Sequence, residues 1–237
     1  MRARLEALVT ERERVLQQFL ESEQRRIALA SHSLARAFSR GATLYAFGTG
    51  AAATDAAHVA VEFMHPVIVG KRALPAVALT NDPTGQSATL RLARASDIAL
   101  GIAHGGGDPA VRSFLDDAAR QGLQTIALAG RGSAVRADEV FSVESDDPHV
   151  VQEVQETLYH VLWELVHVFF EHPGLLVDAC ITCGDVAVEA RVVEIDRMTA
   201  VVERDGQREE VAVEFLDGVG VGDVVLCHAG VALEKLA

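Results

Sequence analysis

The pattern that most constrains this chain is an alternation of short apolar segments with segments of helical period between residues 43 and 171. Helical spacing predicts helices at residues 54–64, from residue 109 to about residue 121, and at residues 148–171. Apolar runs predict five strands, at residues 43–47, 75–79, 97–103, 123–129 and 139–143. Because strands that alternate with helices form parallel sheets covered on both faces, the sequence predicts an α/β fold with a parallel five-stranded sheet.

The regions before and after this alternation have different sequence patterns. Residues 3–38 carry apolar side chains at helical spacing without Pro or Gly, which predicts a helix or a helical hairpin of the kind that often packs against another subunit. After a Pro-Gly break at residues 173–174, Val-rich strands are predicted at residues 186–195, 200–204, 210–215 and 223–228. Asp205-Gly206 and Asp217-Gly218 are hairpin signals. We therefore predict two domains, residues 1–174 and residues 178–237, the second being small and all-β.

Composition excludes several classes of function. The formal net charge of −13 disfavours binding to nucleic-acid backbones and to anionic membranes. The sequence has no apolar run of transmembrane length, and its N-terminus does not resemble a signal peptide. Three cysteines, Cys180, Cys183 and Cys227, are an odd and small number that suits a reducing compartment. We expect a cytoplasmic protein that binds neither nucleic acid nor membrane.

Two glycine-rich turns follow the first and third predicted strands. In a parallel sheet such turns place a ligand crevice at the carboxyl ends of the strands, which indicates a small-molecule ligand. The candidate ligand-binding residues of these turns are Gly48, Thr49, Gly50, His104, Gly105, Gly106 and Asp108.

Two pairs of polar residues on predicted helices point to chemistry. His58 and Glu62 are four residues apart on one helix, and Gln152 and His160 are eight residues apart on another. Residues at these spacings share a helix face, so two such pairs on neighbouring helices would converge. Two imidazoles, a carboxylate and an amide oxygen suit a divalent-metal or acid–base site. Taken singly, each pair is more typical of a solvated helix face or an intrahelical contact.

Residues 1–172 resemble the sugar isomerase (SIS) domain, and specifically its phosphoheptose isomerase branch. The resemblance rests on the segment FGTGAAATDAAHVAVE at residues 47–62 and on VQEVQETLYH at residues 151–160. It implies a zinc site, with iron as the alternative metal, formed by His58, Glu62, Gln152 and His160. It further implies that Glu62 and His160 act as acid and base, and that the protein is a homotetramer.

The turn after the third strand departs from that branch, in which hydroxyl side chains hold a sugar phosphate. Residues 103–108 read AHGGGD and contain no hydroxyl, and Ala52 stands where a serine is usual. We expect Asp108 at the N-cap of the next helix, where its carboxylate would satisfy backbone N–H groups and repel phosphate. The alternative is that the backbone amides alone bind phosphate. His104 would replace a phosphate donor, add a metal ligand, or remain a solvent-exposed loop residue.

The C-terminal region resembles the small β-barrel HypC/HupF family of [NiFe]-hydrogenase maturation chaperones. The resemblance rests on residues 191–195, 213–215 and, most clearly, the segment VGDVVLCHAGVA at residues 221–232. It implies an iron site in which Cys180 or Cys183 acts with His228, and docking with maturation partner proteins. Thiolates bind soft metals well, although the two cysteines are equally compatible with ordinary thiols. Alternation along the strand assigns Cys227 to the core.

Three functions follow from these two resemblances. The first is an accessory protein for [NiFe]-hydrogenase maturation, with a metal-binding SIS domain and a chaperone-like barrel that docks with maturation proteins. The second is a metal-dependent ketose–aldose isomerase acting on sedoheptulose 7-phosphate or a related sugar phosphate. A non-enzymatic oligomeric scaffold is the third, which the retained quartet of His58, Glu62, Gln152 and His160 disfavours.

Overall fold

The computed structural model describes residues 1–79, 89–172, 176, 187–228 and 230–236. The chain divides into two compact units, residues 1–24 with 37–163 and residues 25–36 with 164–237. Apart from Leu176, the predicted domain boundary near residues 175–178 lies outside the described residues. The division into residues 1–174 and 178–237 therefore stays a prediction.

The first unit contains the predicted five-stranded sheet. Its strands are β1 (Leu44–Gly48), β2 (Ala76–Ala78), β3 (Ile98–Ile102), β4 (Gln124–Gly130) and β5 (Glu139–Val143). They lie in the order β2-β1-β3-β4-β5, and every neighbouring pair is parallel. All five residues of β1 and of β3 are buried. Because successive strand residues point to opposite faces, both faces of the central strands are covered, and the predicted α/β class is confirmed.

The described helices agree closely with the sequence pattern. They are α1 (Arg2–Ser39), α2 (Ala52–Met64), α3 (Pro109–Arg120) and α4 (Pro148–Glu171). Residues 2–39 form one uninterrupted helix, so the hairpin alternative for this region is wrong. None of the described helices combines the length and the apolar character needed to cross a membrane.

Close packing of helices on the sheet requires glycine at two strand positions. A Cβ atom on Gly48, the last residue of β1, would lie 2.4 Å from the carbonyl oxygen of Ala52 in the first turn of α2. A Cβ atom on Gly101 in β3 would lie 2.9 Å from side-chain atoms of Val111 and Leu115 on α3. Both distances are shorter than carbon atoms tolerate. These glycines therefore let α2 and α3 lie directly against the strands that precede them.

The second unit contains a closed barrel. Its strands are β6 (Val188–Asp196), β7 (Thr199–Arg204), β8 (Gln207–Ala212), β9 (Val224–His228) and β10 (Val231–Leu236), in the order β10-β8-β7-β6-β9. Small apolar side chains fill its interior, among them Val192, Val202, Val211, Val225 and Cys227. The predicted small all-β barrel is confirmed, as is the assignment of Cys227 to its core.

The two Asp-Gly signals have different outcomes. Asp205 and Gly206 have φ angles of 52° and 80° and join the paired strands β7 and β8, as a tight hairpin requires. The hairpin predicted at Asp217-Gly218 is wrong, because β8 does not pair with β9. Instead β9 pairs with β6 and β10, since closing the barrel brings together strands that are distant in sequence.

Strand β10 has no counterpart among the predicted strands. A register shift between Ala232 and Glu234 interrupts its pairing with β9. Such a bulge breaks the alternation of apolar and polar residues from which strands are recognised. The irregularity therefore hides this strand from sequence reasoning.

The burial of the Cys227 thiol can be tested by its reactivity. Burial, with a smaller contribution from the charge of Glu209, raises the pKa of the Cys227 thiol to about 12. Because the thiolate is the reactive form, we expect Cys227 to resist iodoacetamide at about pH 8 in the native protein and to react after unfolding in urea. Peptide mass mapping distinguishes it from Cys180 and Cys183. Rapid labelling of Cys227 in the native protein would contradict this expectation.

Candidate metal centre

Three side chains from α2 and α4 converge on one point. One ligand atom from each of His58, Glu62 and His160 lies within 4.8 Å of the others. His58 Nε2 is 3.3 Å from Glu62 Oε1, and the ring centroids of His58 and His160 are 5.1 Å apart. The spacing of four residues between His58 and Glu62 places both on one face of α2. Across the described part of the chain, no other group of three or more His, Cys, Asp or Glu side chains converges in this way.

The donor set fits a divalent metal ion. Two imidazole nitrogens and one carboxylate oxygen are the ligands found in catalytic zinc sites that keep a position open. The side chain of His58 is 37% exposed and that of Glu62 is 13% exposed, so a small ion or ligand can reach them from solvent. These three residues could therefore hold a metal ion. Their chemistry suits both zinc and iron.

Gln152, the fourth predicted ligand, is bound to a residue that the sequence reasoning missed. Its amide nitrogen donates to the carboxylate of Asp55, at 3.0 Å from Oδ1 and 3.3 Å from Oδ2. Asp55 lies three residues before His58 on α2, a spacing that keeps it on the same helix face and that could have identified it. Whether Gln152 also ligates a metal stays a prediction.

His104 is held by the same carboxylate. Its Nε2 lies 2.5 Å from Asp55 Oδ2, and the two side chains are only 12% and 9% exposed. The interpretation of His104 as a solvent-exposed loop residue is therefore wrong. His104 also lies outside the cluster formed by His58, Glu62 and His160. The buried amide of Gln155 on α4 donates to the carbonyl of Ala103 at 3.1 Å, which anchors the start of this turn.

The far side of the His58 ring is held by α4. The Tyr159 hydroxyl lies 2.9 Å from His58 Nδ1, and Glu156 Oε1 lies 3.6 Å from the same nitrogen. Burial raises the pKa of Tyr159, and the nearby carboxylates of Glu156, Asp55 and Glu62 raise it further. The phenol is therefore neutral. Because this contact occupies Nδ1, it leaves His58 Nε2 facing Glu62, the arrangement in which a polar partner orients a metal-binding imidazole.

The predicted helix cap at Asp108 is confirmed. Asp108 Oδ1 accepts hydrogen bonds from the backbone nitrogens of Ala110 at 2.9 Å and Val111 at 3.2 Å, at the first turn of α3. Asp108 Oδ2 accepts a hydrogen bond from the hydroxyl of Thr49, which lies in the turn after β1. One carboxylate thus joins the two predicted ligand-binding turns.

The candidate iron site of the barrel is only partly described. Cys180 and Cys183 lie outside the described residues. His228 is the last residue of β9 and is half-buried, and within the described part of the chain its Nδ1 atom is buried without a hydrogen-bond partner. The pairing of His228 with either cysteine stays a prediction.

Comparisons with known proteins match two separate regions of the chain. Residues 9–130 match the SIS domain family, and residues 186–237 match the HupF/HypC family. A phosphoheptose isomerase of Pelobacter propionicus is 36% identical over 150 residues, which cover 56% of this chain and 79% of that protein. One from Thermodesulfovibrio yellowstonii is 31% identical over 179 residues, which cover 68% of this chain and 89% of that protein.

Solved structures extend the likeness in fold. The phosphoheptose isomerase GmhA from Neisseria gonorrhoeae superposes with a TM-score of 0.62 at 24% sequence identity. A phosphoheptose isomerase from Francisella tularensis superposes with a TM-score of 0.64 at 20% identity. Each alignment covers 70% of this chain and 97% of the other. The parallel sheet and the helices that surround it therefore share the fold of these two structures.

The shared acceptor Asp55 generates a test of the site. Replacing it (Asp55→Ala) removes the acceptor of two partly buried donors, on His104 and Gln152, and we expect a loss of about 1–3 kcal/mol in the free energy of unfolding. Urea denaturation followed by the fluorescence of Trp163, the only tryptophan, reports on this unit. The matched control is Asp116→Ala, an exposed position on α3, for which a change within about 0.5 kcal/mol is expected. Equal stability of the two variants would contradict the role given to Asp55.

Proposed function

The chain belongs to the SIS-domain family, and from this premise we propose that it is an accessory protein of [NiFe]-hydrogenase maturation whose SIS domain binds a divalent metal ion. The observation that carries the proposal is that one chain contains both a candidate metal site and a match to the HupF/HypC family. A cluster of His58, Glu62 and His160 lies in the SIS domain, and residues 186–237 match the HupF/HypC family. A sugar isomerase has no need of such a barrel, whereas a maturation protein does.

The chemistry proposed for the SIS site is proton transfer on a small ligand. A metal ion held by His58, Glu62 and His160, with Gln152 as the fourth ligand, would polarise an oxygen of that ligand. Glu62 and His160 serve as base and acid and move a proton between adjacent atoms of the ligand. Tyr159 and Glu156 support this role because they hold the His58 ring from its Nδ1 side.

The barrel is proposed to dock with maturation proteins. His228, with Cys180 or Cys183, would take iron as cargo, because thiolate and imidazole are good ligands for that metal. Among the described residues, the buried Nδ1 of His228 has no hydrogen-bond partner, which supports a role for this ring beyond packing.

We also propose that the protein is located in the cytoplasm and forms a homotetramer. The side chains of Leu5, Leu8 and Val9 near the start of α1 are 61%, 43% and 44% exposed. Apolar side chains clustered in this way support association with other copies of the chain.

A second candidate function is a ketose–aldose isomerase that acts on sedoheptulose 7-phosphate or a related sugar phosphate. The specific observation in its favour is the relatives' name, phosphoheptose isomerase, at 31–36% identity, together with the pairing of Glu62 and His160 in one cluster. This function accounts for the SIS domain and leaves residues 186–237 without a role.

Metal binding is the first prediction of this proposal. In a Cys180→Ser, Cys183→Ser background, which removes the thiolates of the second site, we expect one tightly bound zinc or iron ion per chain. Substituting His58→Ala or His160→Ala should weaken zinc binding by at least about a hundredfold in competition with a chelator, because a direct ligand is lost. The control is His149→Ala, an exposed histidine on the same helix as His160. Unchanged affinity in the His58 and His160 variants would exclude this metal site.

The two functions are separated by two measurements on the full chain. We expect immobilised [NiFe]-hydrogenase maturation proteins to retain the native protein and its Met198→Ala variant, an exposed barrel position, but to lose His228→Ala. We expect no turnover of sedoheptulose 7-phosphate above that of the Glu62→Gln variant. Absence of docking, combined with turnover that Glu62→Gln abolishes, would overturn the accessory role and establish the isomerase.

A further inference from the structure

We propose that Asp108 acts as a built-in anion that occupies the phosphate position of this site, so that the ligand of the SIS domain is a small uncharged hydroxyl- or carbonyl-bearing compound. This inference rests on the proposed function only in placing the ligand at the metal centre, and it names the class to which that ligand belongs.

An anion at this edge of the sheet would bind at the start of α3. In open α/β sheets, ligands bind at the carboxyl ends of the strands, and helix N-termini at that edge attract anions through their free N–H groups. Helix α3 is twelve residues long and begins directly after the β3 turn. Its first backbone nitrogens would be the natural donors to a phosphate group.

The donors at the start of α3 are already used. The backbone nitrogens of Ala110 and Val111 both donate to Asp108 Oδ1. The hydroxyl of Thr49, which comes from a different turn, donates to the other oxygen of the same carboxylate. Three donors from two turns therefore converge on one negatively charged group, as they would on a bound phosphate oxygen. A second anion would lose these donors and be repelled by the carboxylate.

The backbone of the turn that carries Asp108 is held in place by close packing. A Cβ atom on Gly106 would lie 2.6 Å from the carbonyl oxygen of Arg131, and one on Gly130 would lie 2.6 Å from the carbonyl oxygen of His104. The turn that carries Asp108 is therefore packed directly against the end of β4 and the residues that follow it. Pro109 at the first helical position further restricts the backbone next to Asp108.

The charge and polarity of the turn agree with this ligand class. Residues 105–107 are glycines and add no donor side chains. His104 is the one ionisable side chain between Ile102 and Asp108, and its Nε2 faces the carboxylate of Asp55. The turn thus offers a ligand one acidic group and one imidazole already paired to an acid, which suits hydroxyl and carbonyl groups better than a phosphate.

Inorganic phosphate is the probe for the test. Its binding is measured by isothermal titration calorimetry and by phosphorus NMR, at constant ionic strength. We expect the native protein to show no saturable binding at millimolar phosphate. We expect Asp108→Ser to bind phosphate at least about tenfold more tightly, because the repelling charge is removed and the serine hydroxyl caps only one of the three donors. Asp116→Ser removes the same charge from an exposed position of α3 and should behave like the native protein.

A second variant keeps the test valid if Asp108→Ser fails to fold. Glycine is an acceptable N-cap residue, so Asp108→Gly should fold, free all three donors and show at least the same gain in phosphate affinity. The proposal is overturned if the native protein binds phosphate as tightly as these variants. It is equally overturned if the variants, folded by circular dichroism and Trp163 fluorescence, bind phosphate no more tightly than the native protein.

The metal site is tested separately within the same experiment. Each titration is repeated after the protein has been stripped of metal with a chelator. In the Asp108 variants, phosphate that remains bound after the metal is stripped is held at the start of α3, which supports the proposal. Phosphate binding by these variants that disappears with the metal counts against it. Failure of the proposed function would show instead as a protein that takes up no metal, whatever its affinity for phosphate.

Discussion

The parallel direction of the five sheet strands is the constraint on which the site depends. Because β1 and β3 are neighbours with Gly48 opposite Ile102, the turns that follow these strands emerge side by side. The first turn leads into α2 and the second into α3. Asp108 can therefore accept a hydrogen bond from Thr49, although the two residues are 59 positions apart in the sequence. Glycines at the helix–strand contacts keep α2 and α3 close enough for these interactions.

Asp55 and Tyr159 show how the polar groups of the site depend on one another. Asp55 receives hydrogen bonds from Gln152 on α4 and from His104 in the β3 turn, while the Tyr159 hydroxyl contacts Nδ1 of His58. Each contact fixes the orientation of a ring or an amide whose chemistry depends on which atom faces the ligand. The same carboxylates that surround Tyr159 contribute to keeping its hydroxyl neutral, so that it orients His58 without adding charge beside a metal.

Sequence patterns correctly predicted the features that depend on a single helix or strand. Helix and strand periodicity predicted that His58 and Glu62 share a helix face, that Asp108 caps a helix and that Cys227 is buried. Each of these predictions is confirmed. The contacts of Asp55 with His104 and of Tyr159 with His58 depend on how separate elements pack, and a single sequence carries little sign of them. The false hairpin at Asp217-Gly218 has a related cause, since barrel closure pairs strands that are not consecutive. Strand β10 escapes prediction because its bulge breaks the alternation of apolar and polar residues.

The separation in sequence between the two halves of the candidate metal centre has a consequence for folding. His58 and Glu62 come together as soon as α2 forms, but His58 and Tyr159 are 101 residues apart. Bringing α4 to α2 requires the closure of a long loop, whose entropic cost is met only when the intervening strands have paired. A partly folded chain can thus offer an ion only the weak pair on α2. Tight metal binding would then report that the SIS domain has finished folding, and the ion would stabilise the native state over every earlier intermediate.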